Sequence, residues 1–337
     1  MALTINTNIS SLIAQSNLNK ATDALNLSIE RMTTGFKINH AKDNAAGYSI
    51  ANLWNTQLGS LDVASDNAAT GLDMLTTAEE SYSLLTSHLQ RVRDLTAQAS
   101  NGTYGSASLK AIQSEIEARF LEISRIANNS EFNGIKLMAY TGEAGDKSGI
   151  TADGINLQVG IYADANSRIK LTTELFANAT VSGLFKNLLG TDSESGNSLQ
   201  ELLESAYADF DPTEMNEANG IKAIAAACSG LVYDGTDYVL QDAAGFGAKE
   251  MLTFLDLAID DISSRVTQIG AAQNRVESAI DALEVQSTNL TSSLSTLRDT
   301  DIAEESSNYI QAQILQQASA TLLSTANQLP SIALNLI

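Results

Sequence analysis

Near its C-terminal end the sequence carries an apolar stripe that steps by three and four residues in strict alternation. Its positions are Leu252, Leu255, Ile259, Ile262, Val266, Ile269, Gln273, Val276, Ile280, Leu283, Ser287, Leu290, Leu294 and Leu297, and only Gln273 and Ser287 are polar. That spacing is the heptad seam of a coiled coil. A straight helix over these residues would be about 69 Å long at ~1.5 Å per residue. No compact aromatic core encloses a rod of that length, so its stripe must be covered by other helices.

The rest of the composition fits long helices with narrow seams. Among 337 residues, aromatics make up 5%, with two prolines and one tryptophan. The length allows two or three domains. A net charge of −21 argues against a nucleic-acid partner, because phosphate binding is driven by Lys and Arg. The acidity is concentrated from Asp192 to Asp261, where fifteen carboxylates meet only Lys222 and Lys249. Such a segment reads as solvent-facing and self-repelling. The lone cysteine, Cys228, excludes an intrachain disulfide and reads as a buried free thiol in Ala225-Ala226-Ala227-Cys228. No apolar run reaches the ~20 residues of a membrane span. The N-terminus lacks the basic and apolar regions of a secretory signal, so export would take another route.

Along the chain, Ile5 to Met32 reads as a helix with Ile5, Ile9, Leu12, Leu18, Ala21, Leu25, Ile29 and Met32 as its apolar positions, and Gly35 is placed to cap it. A connector follows from Phe36 to Asn44. A second long helix carries Trp54, Leu58, Leu61, Ser65, Ala68, Leu72, Leu75, Glu79 and Tyr82, slips register once, and continues through Leu85, Leu89 and Val92. A third presents Leu109, Ile112, Ile116, Phe120, Ile123 and Ala127 on one face. The period then changes to two in Gly134–Met138, Ile155–Ile161 and Arg168–Leu171, and a hairpin is expected between the first two. Short helices are expected at Leu199–Tyr207 and Met215–Cys228, and an Asp234-Gly235 hairpin between Val232 and Val239. After the long stripe, Asp301 with Glu304 has the form of a capping box that restarts a helix. The last segment carries Ile302, Ile310, Ile314, Ala318, Leu322 and Ala326, and its apolar end is expected to dock. Terminal segments of matching length should pair antiparallel, with the middle domain at the far tip.

Several of these segments resemble bacterial flagellin. Ile5-Asn6-Thr7-Asn8, Asn17-Leu18-Asn19-Lys20, Glu30-Arg31-Met32-Thr33-Thr34-Gly35 and Ala41-Lys42-Asp43-Asn44-Ala45-Ala46-Gly47 are similar to the N-terminal signature of that family. So are Leu89-Gln90-Arg91-Val92-Arg93-Asp94-Leu95, Glu131-Phe132-Asn133-Gly134 and Gln273-Asn274-Arg275. The close, Ala312-Gln313-Ile314-Leu315-Gln316-Gln317-Ala318 with Ala326-Asn327-Gln328-Leu329-Pro330, agrees as well. The resemblance covers roughly 1–170 and 248–337 and skips the acidic middle. His40 stands where Ser is common in the family, Asn44 where Asp is, and Ile337 where Arg is.

The resemblance implies a mainly α fold: long antiparallel coiled-coil-like helices from both termini, a small β-hairpin region and a small α+β variable domain at the tip. It assigns residues 1–40 and 299–337 to an inner-tube domain, 41–172 and 248–298 to an outer-tube domain, and 173–247 to a variable, surface-exposed domain. It implies a structural subunit that self-assembles into the hollow helical filament of the bacterial flagellum, extracellular and exported without a cleavable signal. The terminal helices would fold on polymerisation, and the stripe from Leu252 to Leu297 would be a polymerisation seam. Implied partners are further copies of the chain, a flagellar export chaperone, the filament cap and hook-junction proteins. A hook–filament junction protein or a secreted effector is the alternative.

Nothing in the sequence assembles a catalytic, cofactor or metal site. The two histidines, His40 and His88, form no His-Glu-x-x-His motif, and Gly245-Phe246-Gly247 lacks the strand and further glycine of a dinucleotide loop. By resemblance, Gln90, Arg91, Leu95 and Glu115 form a subunit contact that the flagellin-sensing Toll-like receptor of a host also reads. An arginine flanked by an apolar side chain has the makeup of a binding hot spot.

Overall fold

A computed structural model describes residues 8–141, 148–189, 203, 217–233, 238–240 and 246–334. Contacts divide the chain into two units, Met1–Asp62 with Glu284–Ile337 and Val63–Leu283. The helices are α1 (Ile9–Thr34), α2 (Ala45–Ala99), α3 (Ser106–Asn129), α4 (Val181–Leu189), α5 (Glu217–Ser229), α6 (Phe246–Arg298) and α7 (Ile302–Leu334). The strands are β1 (Glu131–Phe132), β2 (Ile135–Lys136), β3 (Ile155–Gln158), β4 (Arg168–Leu171), β5 (Leu231–Tyr233) and β6 (Tyr238–Leu240). They form three antiparallel two-stranded ribbons, β1–β2, β3–β4 and β5–β6.

The second unit holds the larger core. On α2, Ala68, Leu75, Tyr82 and Leu89 are fully buried and recur every seven residues. On α6, Leu255, Ile262, Ile269, Val276 and Leu283 do the same, while Leu252, Ile259, Val266 and Ile280 are half-buried. One seam position per heptad is thus fully enclosed and the other half-covered. The polar interruption at Gln273 is satisfied: its Nε2 donates to Glu79 Oε2 at 2.8 Å, joining two seam positions across α2 and α6. Farther along, the Arg93 guanidinium grips Asp256 with two bonds. Residue 79 meets 273 and residue 93 meets 256, so the two helices run antiparallel here.

Layered on this pair are α3, the ribbons, α4 and α5. The face of α3 read from the sequence is buried at Leu109, Ile112, Ile116, Phe120, Ile123 and Ala127. Phe120 meets Phe185 of α4 edge-on, with centroids 6.3 Å apart. The run Ala223 to Cys228 of α5 is enclosed, and burial pushes the Cys228 thiol up to about 12, against a small opposing effect from a hydrogen bond with Thr96. The expected helix at Met215–Cys228 is therefore present with its described start at Glu217. The expectation at Leu199–Tyr207 lies outside the described residues apart from Leu203, which is buried. The ribbon of β5 and β6 forms with Tyr233 opposite Tyr238, and the Asp234-Gly235 turn itself lies outside the described residues.

One expected pairing is different. The segment after Gly134 does not pair with Ile155–Ile161. Instead Phe132 pairs with Ile135 across Asn133 and Gly134, which both take positive φ (49° and 80°). An Asn-Gly pair with that geometry favours a two-residue hairpin turn, so the local partner wins over the distant one. Ile155 then pairs with Leu171, through Gln158 with Arg168. This ribbon lies close on α2: a Cβ at Gly71 would fall 2.5 Å from Leu157 Cδ1.

Two buried polar groups tie the short turn at Thr173–Phe176 and the residue after it to the long helices. Tyr82 donates its hydroxyl to the Leu175 carbonyl at 2.9 Å. Arg265, only 5% exposed, donates to the Ala177 carbonyl at 2.8 Å and to Asp261 at 2.6 Å. Burial raises the Tyr82 pKa above its ordinary value. Arg265→Ala would strip a half-buried carbonyl of its donor and leave a void, a loss of roughly 2–4 kcal/mol. Urea unfolding followed by circular dichroism should show the midpoint falling accordingly, and an unchanged midpoint would contradict the role given to Arg265.

Candidate assembly surface

In the first unit, α1 and α7 lie side by side and antiparallel. Asn8 caps α1, its Oδ1 accepting from Ser11 N–H at 3.1 Å, while its Nδ2 donates to the Ala326 carbonyl at 2.7 Å. Ser11 bonds Asn327 at 2.7 Å, Gln316 bonds Thr22 at 3.2 Å, and Arg31 lies 3.7 Å from Glu305. Rising numbers on one helix meet falling numbers on the other.

The contact line is unlike the one read from the sequence. On α1 the buried residues are Ala14, Ala21 and Ser28, flanked by half-buried Ser11, Leu18, Leu25 and Met32. On α7 they are Glu305, Ala312, Ser319 and Ala326, flanked by Tyr309, Gln316 and Leu323. Both sets recur every seven residues and are mostly alanine and serine. Of the stripe expected on α1, Leu18, Ala21, Leu25 and Met32 lie on the seam, while the other large apolar side chains face away from it. Ile9, Leu12, Ile13 and Ile29 of α1, and Ile302, Ile310, Ile314, Leu315 and Leu322 of α7, are 44–63% exposed. Of the α7 stripe only Ala326 is buried, and Ala318 is exposed. Small residues win the seam because they let two helix backbones approach, which a row of branched side chains prevents. Ile5 lies outside the described residues.

A groove of about 620 Å³ runs along one side of this pair, with Ala24, Leu27, Leu315, Ala318 and Leu322 among its lining residues. Polar residues also line it, with Arg31 and Glu305 toward one end and Asn17 and Lys20 toward the other.

Both helix breaks in this unit meet. Gly35 takes the left-handed conformation (φ 76°) and its N–H reaches the Arg31 carbonyl, as expected for the cap of α1. Lys37 N–H then donates to the Arg298 carbonyl at 2.7 Å and Thr300 N–H to the Gly35 carbonyl at 2.9 Å. Arg298 stacks 4.0 Å from the centre of the Phe36 ring. Asp301 accepts from Ala303 and Glu304 N–H groups and so starts α7. In the connector, Asp43 Oδ2 takes the His40 and Asn39 N–H groups, and the bond from His40 is the main cause that holds its carboxyl below the usual range. His40 Nε2 sits 2.9 Å from Glu30. In this unit the last stripe positions, Leu290, Leu294 and Leu297, are only half-buried.

The four residues singled out for recognition all lie in the second unit but do not share one surface. Gln90 and Arg91 are exposed, and Arg91 Nε and Nη2 hold Glu115 Oε1 at 3.0 and 2.9 Å. Leu95 is 2% exposed and belongs to the core. One helical turn beyond Arg91, α2 is covered by its neighbours, so the apolar flank of the arginine is internal. Among the described residues no group of three or more His, Cys, Asp or Glu is placed to hold a metal ion, and no helix is long and apolar enough to cross a membrane.

Comparison with known proteins accounts for both ends of the chain. Residues 5–142 match the profile of the bacterial flagellin N-terminal helical region, and 252–337 that of the bacterial flagellin C-terminal helical region. The chain belongs to the bacterial flagellins. Flagellin C of Vibrio anguillarum is 35% identical over 378 residues, and polar flagellin F of Vibrio parahaemolyticus is 33% identical over 378. Flagellin B of Vibrio cholerae is 33% identical over 377. In each case both chains are covered completely. This flagellin is a structural subunit of the flagellar filament and not an enzyme, and nothing supports a junction protein or an effector. The filament its family builds is extracellular.

The alanine seam generates a direct expectation. Ala21 is 6% exposed, so Ala21→Leu forces α1 and α7 apart at a cost of about 1–3 kcal/mol. Seeded elongation of filaments by this variant should be slower than by the parent, and an equal rate would contradict close packing at the seam.

Proposed function

We propose that the α1/α7 pair is the polymerising element of this flagellin and completes its folding only among neighbouring copies. The observation that carries this is the inversion of side-chain size. Each buried alanine adds roughly 0.8 kcal/mol, against about 1.5–3 kcal/mol for a buried leucine or isoleucine. The branched residues that would stabilise the pair point outward, where only another molecule can bury them. Coupled folding and association follows from that imbalance. In this reading residues 1–40 and 299–337 form the inner tube, and residues 41–172 and 248–298 form the outer tube. The stripe from Leu252 to Leu297 acts as its internal seam up to Leu283 and as a contact with neighbours beyond it. Residues 173–247 form the variable domain of this reading, with Phe176, Phe185 and Ala223–Cys228 built into the core of the second unit.

A chain that leaves the cell unfolded through a narrow conduit needs no disulfide, which suits the lone Cys228. An export chaperone covering the apolar terminal face, a filament cap and hook-junction proteins complete the set of partners. The test is seeded growth followed by electron microscopy. The full chain should extend filament fragments into long filaments, and a chain lacking 299–337 should not. Normal extension by the truncated chain would overturn the assignment.

The surface at Gln90, Arg91 and Glu115 is proposed as a contact between subunits that a host flagellin-sensing Toll-like receptor also reads, with Leu95 supporting it from the core. The Arg91–Glu115 pair presents the guanidinium in a fixed pose, as a hot spot requires. Arg91→Ala should weaken receptor signalling by purified monomer about tenfold or more, the equivalent of roughly 1.4 kcal/mol. Unchanged signalling would refute it.

A further inference from the structure

We propose that Asn101-Gly102, in the turn between α2 and α3, is a site of spontaneous deamidation in the folded subunit, and that the fold shields the other Asn-Gly pairs of the chain. This holds whether or not copies assemble through α1 and α7.

The sequence contains three Asn-Gly pairs, Asn101-Gly102, Asn133-Gly134 and Asn219-Gly220. In such a pair the glycine nitrogen can attack the side-chain amide carbon of the asparagine, because glycine brings no Cβ to crowd the approach. Hydroxide takes the proton from that nitrogen, the N–Cγ bond forms, and the side-chain nitrogen leaves as ammonia. Water then opens the cyclic imide at either carbonyl and leaves aspartate or its isoaspartyl isomer. The net change is water in and ammonia out, with no oxidant, metal or enzyme. Ring closure requires ψ of the asparagine to swing until the glycine nitrogen faces Cγ. The backbone around each pair therefore decides its fate.

Two pairs are held. Asn133 and Gly134 are exposed, and a Cβ at Gly134 would meet nothing within 4 Å. Yet Asn133 is fixed at φ 49° in the tight turn closed by Phe132 with Ile135 and Glu131 with Lys136. Swinging ψ there breaks the hairpin. Asn219 and Gly220 lie inside α5, where helical geometry sets ψ, and Gly220 is buried.

Asn101 is not held in this way. Asn101, Gly102 and Thr103 are exposed and belong to neither helix nor strand. A Cβ at Gly102 would also meet nothing within 4 Å, and the Gly102 N–H reaches no backbone carbonyl among the described residues. The backbone bonds that close the turn are long: Asn101 N–H to the Gln98 carbonyl at 3.2 Å, and Tyr104 N–H to the Asn101 carbonyl at 3.4 Å. Rotation at Asn101 gives up little, and solvent reaches the attacking nitrogen. A Gln98–Tyr104 side-chain bond of 2.9 Å spans the same turn. The product places a new carboxylate there, and its isoaspartyl form lengthens the chain between α2 and α3 by one backbone atom.

Peptide mapping by mass spectrometry tests this. The purified full chain is incubated in mildly alkaline buffer and digested at intervals, and conversion of each asparagine is followed. An isoaspartyl-specific methyltransferase with a labelled methyl donor gives a second readout. Asn101 should convert at least tenfold faster than Asn133 or Asn219, and faster as the pH rises. In guanidinium chloride, where the fold is absent, the three should convert at similar rates. Gly102→Ala fits the open space and should slow conversion at Asn101 at least tenfold, with the circular dichroism of the parent. Conversion of Asn133 as fast as Asn101 in the folded chain would overturn the assignment. So would an Asn101 amide that persists in the folded chain and is lost only in denaturant.

Discussion

The organisation of this flagellin depends on a seam built from residues too small to stabilise it. Where α1 meets α7, the inward positions are Ala14, Ala21, Ser28, Glu305, Ala312, Ser319 and Ala326, and all but Glu305 are small. These side chains let the helices approach closely but remove little apolar surface from water. Leu18, Leu25 and Leu323 flank the seam half-buried, and the isoleucines of the same helices stand outside. Ordering a backbone residue costs about 1–2 kcal/mol before its hydrogen bonds are counted, and a seam of methyl groups offsets only part of that. The stability of the pair is therefore tied to whatever covers its exterior, which the proposed function assigns to the next subunit.

The second unit follows the opposite rule. There the same seven-residue recurrence places Leu75, Tyr82, Leu89, Leu255, Ile262, Ile269 and Val276 inward, and these alone bury a substantial area. Polar groups in that core are paired across elements. Gln273 meets Glu79, Arg93 meets Asp256, and Tyr82 and Arg265 hold the backbone at Leu175 and Ala177. The buried pairs fix register, because sliding one helix along the other would leave Tyr82 and Arg265 without their partners. A unit that is complete by itself and a unit that needs neighbours are thus written with one heptad pattern and two choices of side-chain size.

Much of the fold was legible because heptad spacing survives in the letters. The stripe on α6, its counterpart on α2 and the apolar face of α3 were all found where the periodicity placed them, as were the Gly35 cap and the Asp301 helix start. The α1 and α7 faces were misread for a physical reason. Reading apolar periodicity assumes that the largest apolar side chains face inward, and here several of them are exposed. Alanine at seven-residue spacing was the available signal, and it is easily passed over beside isoleucine. The β1–β2 hairpin was announced by Asn133-Gly134, whose turn preference outweighs the alternation that linked Ile135 to a later strand. At the recognition surface the exposure of Arg91 was legible, but the burial of Leu95 depends on which elements cover α2 and could not be read from helical spacing.

The most direct test of the central claim is amide hydrogen exchange across α1 and α7, measured once on the free subunit and once on assembled filaments. The account predicts rapid exchange from residue 9 to 34 and from 302 to 334 in the free subunit, strong protection of the same amides in the filament, and core amides near Tyr82 and Ile269 protected in both. Equal, strong protection of α1 and α7 in the free subunit would show that the alanine seam suffices alone, and would contradict it.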